Sequence, residues 1–274
     1  MGFFDGYLFV SDFDGTFADY EQVIPPQNVE AVDYFMAEGG RFALATGRSL
    51  PGARGKLEHL RFNAPFVLCN GSLVYDFETE EVLWANEMPE SAARMAAELK
   101  RDFPDVGMEI FKGAEVYLTN ETGATDRHIR KERLRPVRCE VEEVPSGYQK
   151  IMLLAPHERL LEVERWVLER PHYQFDFVFP EPHYYEGLDA SINKAAGLRQ
   201  LAAHLGIPME RVLAVGDYYN DLQMLREAGI GACVAAAPYA VKEVCDWVLC
   251  DVKEGAVAEA VRRLEMRLRE RKIG

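Results

Sequence analysis

Two carboxylates follow a strongly apolar segment close to the start of the sequence. The apolar residues 7–10 lead into Ser11, and the sequence DFDGT then places Asp12 and Asp14 two positions apart. Two neighbouring anions repel each other, and each is costly to remove from water. We therefore expect either a positive group beside this pair or one carboxyl group that stays protonated.

Further polar residues follow other apolar segments that are predicted to be strands. RFALAT ends at Thr46-Gly47-Arg48, PFVLCN ends at Asn70-Gly71, and RVLAVGD ends at Asp217, with Asn220 and Asp221 shortly after it. Lys194 begins the predicted helix that leads back towards the sheet. Ligands of open parallel sheets bind beyond the carboxyl ends of the strands, so these residues are expected to share one edge.

Such a set of residues is typical of a site for a cation and a phosphate. Asp12, Asp14 and Asp217 could share Mg²⁺, which prefers oxygen ligands and combines few carboxylates with water and a substrate phosphate. The phosphate would need hydrogen-bond donors. Candidate donors are the Thr46 hydroxyl, the Lys194 ammonium, the Asn220 amide and the backbone amides that follow Asp12 and Thr46.

The predicted chemistry is phosphoryl transfer, which depends mainly on positioning and on charge neutralisation. Asp12 would attack phosphorus and form an aspartyl phosphate. Asp14 would protonate the leaving oxygen and later take a proton from the hydrolytic water. Asp14 then has to begin protonated, with a pKa raised by the apolar wall of an inserted domain.

The elements that must position these residues alternate between strand and helix at both ends of the chain. Residues 7–12, 41–46 and 65–70 are predicted as strands with helices between them, and this rhythm returns from about residue 192. Between them, sequential strands indicate an antiparallel α+β unit. We predict an α/β fold: a doubly wound parallel-sheet core of residues 1–83 and 187–274, with an inserted α+β cap domain of residues 84–186.

Four motifs in this order resemble the haloacid dehalogenase superfamily of phosphatases. They are DFDGT, ATGR, Lys194 and GDYYND, and LCNGSLVYD together with the large insertion resembles the Cof-type subfamily. The resemblance covers essentially the whole chain. It implies a HAD-like, Rossmannoid core and activity on sugar phosphates or other small phosphometabolites.

The resemblance also implies roles for individual residues. Asp12 is the nucleophile and Asp14 the general acid/base, with Mg²⁺ on the side chains of Asp12 and Asp217 and on the backbone carbonyl of Asp14. The phosphate is bound by the Phe13 and Gly47 amides, Thr46, Lys194 and Asn220. Asp221 orients the metal waters or Lys194, and Asn70-Gly71 faces the substrate. Arg48 is either a salt-bridge residue or a substrate contact, and we include it among the substrate-binding candidates.

Two departures from the family pattern concern loops near the site. Ala235-Ala236-Ala237 follows AGIGACV where many relatives have Met-Gly-Asn, and Ser191 stands where a glycine is common. Both departures bear on loop shape and on substrate contacts, and neither alters the predicted catalytic carboxylates.

Composition limits the classes of partner. The net charge of −14 disfavours binding to nucleic acid or to an anionic membrane, and leaves a small phosphorylated metabolite as the expected partner. The five cysteines lack a CxxC pair and no basic leader precedes the first strand, so a cytoplasmic location is expected. A monomer is the default expectation, and a dimer remains open.

Two alternative functions use a similar site. A phosphotransferase or phosphomutase would need the same residues and would differ only in the access of water to the aspartyl phosphate. A non-catalytic phospho-sensing module of the receiver type also groups acids, a threonine and a lysine around Mg²⁺. It is disfavoured because receiver modules have an acid pair on the first strand and the phosphoacceptor on the third strand, and they lack a large insertion. Here DFDGT comes first, and the third predicted strand ends in Asn70-Gly71.

Overall fold

The computed structural model describes residues 2–57, 60–173 and 175–273. Positions 58 and 59 of the helix predicted around residues 50–60 therefore lie outside the described residues. The strands are β1 (Leu8–Ser11), β2 (Arg41–Leu44), β3 (Phe66–Leu68), β4 (Leu73–Asp76), β5 (Glu81–Ala85), β6 (Gly107–Lys112), β7 (Glu115–Asn120), β8 (Val137–Arg138), β9 (Lys150–Leu154), β10 (Phe175–Glu181), β11 (Tyr184–Asp189), β12 (Val212–Gly216), β13 (Ile230–Cys233) and β14 (Trp247–Val248).

The helices alternate with the strands near both ends of the chain. They are α1 (Pro26–Ala37), α2 (Leu50–Leu57), α3 (Ser91–Asp102), α4 (Gly123–Glu132), α5 (His157–Leu168), α6 (Lys194–His204), α7 (Leu222–Glu227), α8 (Tyr239–Lys242) and α9 (Ala256–Ile273). None of the helices in the described ranges is both long enough and apolar enough to cross a membrane.

The chain forms two compact units. The first unit contains residues 1–47, 59–84 and 193–274, and the second contains residues 48–58 and 85–192. The domain boundaries drawn after residues 83 and 186 stay a prediction, and the two units are described one at a time.

A parallel sheet forms the centre of the first unit. Its strands lie in the order β14-β13-β12-β1-β2. β1 is an interior strand and fully buried, and it is paired in parallel with β12 on one side and β2 on the other. A strand that is buried on both faces needs an unbroken apolar run, which LFV supplies. The predicted α/β core with a parallel sheet is confirmed.

The strand predicted as the third parallel strand is arranged differently. β3 is antiparallel to β4, and these two strands form a separate three-stranded sheet with β5. A single parallel bridge between Ala45 and Val67 still joins β3 to the end of β2. The segment after β3 consequently remains close to the end of β2.

The second unit is built on a six-stranded sheet in the order β10-β11-β9-β6-β7-β8. Its pairs are antiparallel except for β7 with β8. One core contains Met95 of α3 and Leu160 of α5, while Phe111, Met152 and Leu154 form a smaller core that Ile129 of α4 packs against. The predicted additional α+β region is therefore present.

Candidate active site

Asp12 directly follows β1, an interior strand of the parallel sheet. Its backbone amide donates a hydrogen bond to the Val215 carbonyl of β12 at 2.8 Å, which continues the pairing of β1 with β12 by one residue. Asp217 directly follows β12, so parallel pairing brings the two aspartates to the same edge of the sheet. Both side chains are buried.

Lys194 connects two of the buried carboxylates. Its ammonium group donates to Oδ1 of Asp12 at 2.5 Å and to Oδ1 of Asp221 at 2.7 Å. Burial alone would lower the pKa of Lys194, but the charges of Asp12 and Asp221 outweigh this effect and hold the pKa above its ordinary value. Lys194 is therefore a fixed positive charge.

The carboxylates at this edge outnumber the positive groups that bind them. Among the described residues, Asp12, Asp217 and Asp221 each offer a carboxylate oxygen, and these oxygens lie within 4.8 Å of one another. Burial raises the pKa of Asp12 well above its usual range and that of Asp217 in the same direction, and the charge of Asp221 adds to both shifts. A cation bound here would favour the ionised forms. Three buried carboxylates close together are a donor set that fits a hard divalent cation.

Asp221 is held in place by hydrogen bonds on both of its oxygens. Oδ1 accepts from Lys194, and Oδ2 accepts from the backbone amides of Asp217 at 2.9 Å and Tyr218 at 3.2 Å. A Cβ atom on Gly216 would lie 2.5 Å from the carboxyl carbon of Asp221, so glycine provides the space for this carboxylate. These contacts fit a residue that orients Lys194.

Gly71 helps to fix the position of Lys194 through a close approach to the preceding residue, Asn193. Its φ is +106°, and a Cβ atom there would lie 1.9 Å from the carbonyl oxygen of Asn193. Asn193 caps α6, because its side chain accepts a hydrogen bond from the Ala196 amide. The close approach of the Gly71 turn to this cap fixes the first residue of α6, which is Lys194.

A second group of predicted residues meets near the ends of β2 and β3. Nδ2 of Asn220 donates to Oδ1 of Asn70 at 3.2 Å. The Asn70 side chain also limits the space at Gly47, where a Cβ atom would be 3.0 Å from Oδ1. The backbone amide of Asn70 donates to the carbonyl of Thr46, and Thr46 is itself buried. The turn is tight, since Asn70 has a φ of +52°.

Phe13 and Asp14 occupy the loop that follows Asp12. Phe13 is buried, with its ring centroid 6.5 Å from that of Phe17. Asp14 is partly exposed, and its backbone forms a bridge with Ala18. This loop folds back on itself, because the amides of Phe17 and Ala18 both donate to the Phe13 carbonyl.

Arg48 belongs to the second unit and forms an ion pair there. Its Nη1 lies 3.0 Å from Oε2 of Glu132, and Nζ of Lys56 lies 3.0 Å from Oε1 of the same residue. Burial alone would raise the pKa of Glu132, but the charges of Arg48 and Lys56 bring it below its ordinary value. Arg48 is predicted to be either a salt-bridge residue or a substrate contact. The structure shows the salt bridge, and a contact of Arg48 with substrate stays a prediction.

Two hydroxyl groups that are not among the predicted site residues bind Asp217. Oγ1 of Thr16 donates to Oδ1 of Asp217 at 3.1 Å, and the Tyr20 hydroxyl donates to Oδ2. Burial of the hydroxyl, together with its hydrogen bond to Asp217, raises the pKa of Tyr20. The threonine of DFDGT could have been selected from its motif, whereas no spacing rule distinguishes Tyr20.

The parallel sheet with buried carboxylates and a lysine at its carboxyl edge defines an α/β enzyme. A family model described as haloacid dehalogenase-like hydrolase matches residues 9–261. The chain belongs to this family of hydrolases.

Individual relatives match over nearly the whole chain. The 5-amino-6-(5-phospho-D-ribitylamino)uracil phosphatase YcsE of Bacillus subtilis is 27% identical over 255 residues, which cover 93% of this chain and 94% of the relative. The pyridoxal phosphate phosphatase YbhA of Escherichia coli is 24% identical over 263 residues, covering 91% and 95%. The crystal structure of a haloacid dehalogenase-like hydrolase from Bacteroides thetaiotaomicron superposes with a TM-score of 0.84 at 26% identity, covering 94% of this chain and 99% of that one.

Proposed function

We propose that this hydrolase is a Mg²⁺-dependent phosphatase that acts on small phosphorylated metabolites through an aspartyl-phosphate intermediate. The observation that carries the proposal is the contact of Lys194 with both Asp12 and Asp221 beside the buried carboxylate of Asp217. A nucleophilic carboxylate, a fixed positive charge and a cation-binding set of oxygens are the parts that phosphoryl transfer requires.

The cation would be held by the side chains of Asp12 and Asp217 and by the backbone carbonyl of Asp14. Asp221 is a poorer candidate for a direct ligand than Asp217, because its Oδ2 already accepts two backbone hydrogen bonds and its Oδ1 pairs with Lys194, whereas each oxygen of Asp217 accepts only one hydrogen bond from the described residues. When bound, Mg²⁺ neutralises charge on the substrate phosphate and offsets the repulsion between the carboxylates.

In the first step, a carboxylate oxygen of Asp12 attacks the phosphorus atom of the substrate. A new bond forms between this oxygen and phosphorus, and the bond from phosphorus to the ester oxygen breaks. Asp14 donates a proton to the departing oxygen, so the leaving group departs as an alcohol. Lys194 holds Asp12 in place and, with Thr46, Asn220 and the amides of Phe13 and Gly47, binds the transferring phosphoryl group.

In the second step, water replaces Asp12 on phosphorus. Asp14, now ionised, takes a proton from the water as its oxygen attacks, and the bond between phosphorus and Asp12 breaks. Inorganic phosphate leaves, and Asp12 and Asp14 return to their starting states. The partly exposed position of Asp14 is compatible with proton exchange with water, while the buried position of Asp12 protects the intermediate.

The names of two relatives support the proposed substrate class. The two phosphatases described above act, by their names, on 5-amino-6-(5-phospho-D-ribitylamino)uracil and on pyridoxal phosphate. Both compounds are small phosphate monoesters, and we expect this chain to act on the same class, which includes sugar phosphates.

The decisive experiment measures phosphate release from a panel of phosphometabolites and p-nitrophenyl phosphate, with Mg²⁺ and with EDTA. We expect release that needs Mg²⁺ and that falls by a factor on the order of 10³ or more in Asp12→Asn, because the nucleophile is lost. An added alcohol acceptor separates hydrolysis from transfer. No release from any compound, or equal release by Asp12→Asn, would contradict the proposal.

A further inference from the structure

We propose that Tyr20 is a positioning residue for the cation site, which holds Asp217 in the orientation that binds Mg²⁺. The inference rests on the proposed function, since it assigns Tyr20 to the cation site of that function. It starts from the hydrogen bond between the Tyr20 hydroxyl and Oδ2 of Asp217.

A closed turn directs Tyr20 towards Asp217. The backbone amide of Asp19 donates to the Val23 carbonyl at 3.0 Å, the Gln22 amide donates back to the Asp19 carbonyl, and the Val23 amide donates to the Asp19 side chain. Gln22 has a φ of +67°, which closes the turn. Tyr20 is thus fixed at its backbone although its side chain is 73% exposed.

Gly15 provides the space for the contact. A Cβ atom at this position would lie 2.5 Å from Oδ2 of Asp217 and 2.7 Å from the Tyr20 hydroxyl oxygen. Any other residue at position 15 would therefore push the phenol and the carboxylate apart. The glycine of DFDGT serves this pair as well as the local backbone, whose φ is +86° there.

The two oxygens of Asp217 each accept one hydroxyl donor, Oδ1 from Thr16 and Oδ2 from Tyr20. A carboxylate oxygen can accept two hydrogen bonds or ligands, so each oxygen retains a free acceptor direction. Asp12 and Asp221 lie close to Asp217 and repel it. The two hydroxyls oppose this repulsion and prevent rotation of the carboxylate. Partners of this kind typically change metal affinity 10- to 100-fold.

The exposed ring makes the contact easy to test. Replacing Tyr20 by Phe removes only the hydroxyl and costs little packing, because most of the side chain faces solvent. The matched control is Tyr239→Phe, which removes the hydroxyl of another tyrosine that is 76% exposed in the same unit.

The experiment is a calorimetric titration of metal-free protein with MgCl₂ for wild type, Tyr20→Phe, Tyr239→Phe and Asp217→Asn. We expect Tyr20→Phe to bind Mg²⁺ about 10-fold more weakly, with Tyr239→Phe unchanged and Asp217→Asn without measurable binding. In phosphate-release assays, the Mg²⁺ concentration for half-maximal activity should rise for Tyr20→Phe while kcat at saturating Mg²⁺ stays within about twofold.

The outcomes separate this inference from the proposed function. Equal affinity in wild type and Tyr20→Phe would overturn the role of Tyr20 and leave the phosphatase proposal standing. Tighter binding in Tyr20→Phe would also overturn it, because the phenol would then compete with the cation. Absence of Mg²⁺ binding in wild type would overturn both.

Discussion

Two buried lysines, one in each unit, have different electrostatic surroundings. Lys194 contacts two carboxylates, and a third lies beside them. Lys150 pairs with Glu186 at 2.9 Å and lies over the ring of Phe111, 4.7 Å from its centroid. Both ammonium groups are nearly inaccessible to solvent, so each needs a counter-charge.

The difference between the two clusters is their charge balance. The pair of Lys150 and Glu186 carries one charge of each sign, which is the arrangement that a folded interior tolerates. Around Lys194, three carboxylates stand against one ammonium, and burial together with this excess of negative charge raises the pKa values of Asp12 and Asp217. A surplus of buried negative charge costs stability, and it is typical of a site whose missing charge is a ligand. The clusters should therefore respond differently to substitution.

The largest effect is expected from Lys194→Met. This change removes the ammonium that holds Asp12 and that offsets the charge of the phosphoryl group, so kcat/KM should fall about 10³-fold. The measurement is steady-state phosphate release on protein whose fold is verified by circular dichroism. Arg199→Met is the control, because Arg199 lies on the same helix in a surface pair with Glu227 and should change kcat/KM less than twofold. A loss below 10-fold in Lys194→Met would contradict the role of Lys194.

The second prediction concerns the contribution of the Lys150–Glu186 pair to stability. Lys150→Met leaves Glu186 buried without its partner and should lower the free energy of unfolding by about 3 kcal/mol. The double variant Lys150→Met/Glu186→Leu should recover to within about 1 kcal/mol of wild type, because two apolar side chains replace the pair. Urea unfolding measures both. If the double variant were as unstable as the single one, the cost of Lys150→Met would not come from leaving Glu186 without its partner.

Much of the parallel sheet and of the Lys194 cluster could be predicted from the sequence. The apolar run LFV is typical of a strand covered on both faces, and polar residues at the end of such a strand are expected at the sheet edge. This reasoning, with the motif resemblance, predicts that Asp12, Asp217, Lys194 and Asp221 share one edge of the sheet.

Other features could not be predicted, because they depend on contacts between distant residues. PFVLCN is as apolar as a parallel core strand, so its antiparallel pairing with β4 was not evident. The ion pairs of Arg48 and Lys56 with Glu132 join positions 84 and 76 residues apart. Tyr20 lies on an exposed turn, where neither periodicity nor spacing indicates a contact with Asp217.

The smallest effect is expected for the stability of metal-free protein when Asp217, in the cluster around Lys194, is replaced. Burial and the charge of Asp221 raise the pKa of Asp217 in the folded protein above its unfolded value. The folded state then binds more protons than the unfolded state above about pH 4, so this group lowers stability as pH rises through its folded pKa. Asp217→Asn removes the penalty and should stabilise metal-free protein at pH 7 by about 1 kcal/mol.

Urea unfolding of wild type and Asp217→Asn between pH 4 and pH 8, in EDTA and in Mg²⁺, measures this penalty. In EDTA the stability advantage of the variant should widen as pH rises above about 4 and should nearly vanish below it, where the carboxyl group is protonated in both states. In Mg²⁺ the order should reverse, because binding to the folded state stabilises wild type alone. If Asp217→Asn were less stable than wild type in EDTA at pH 7, the carboxylate would be favourable without a cation, and the contrast with Lys150 and Glu186 would be lost.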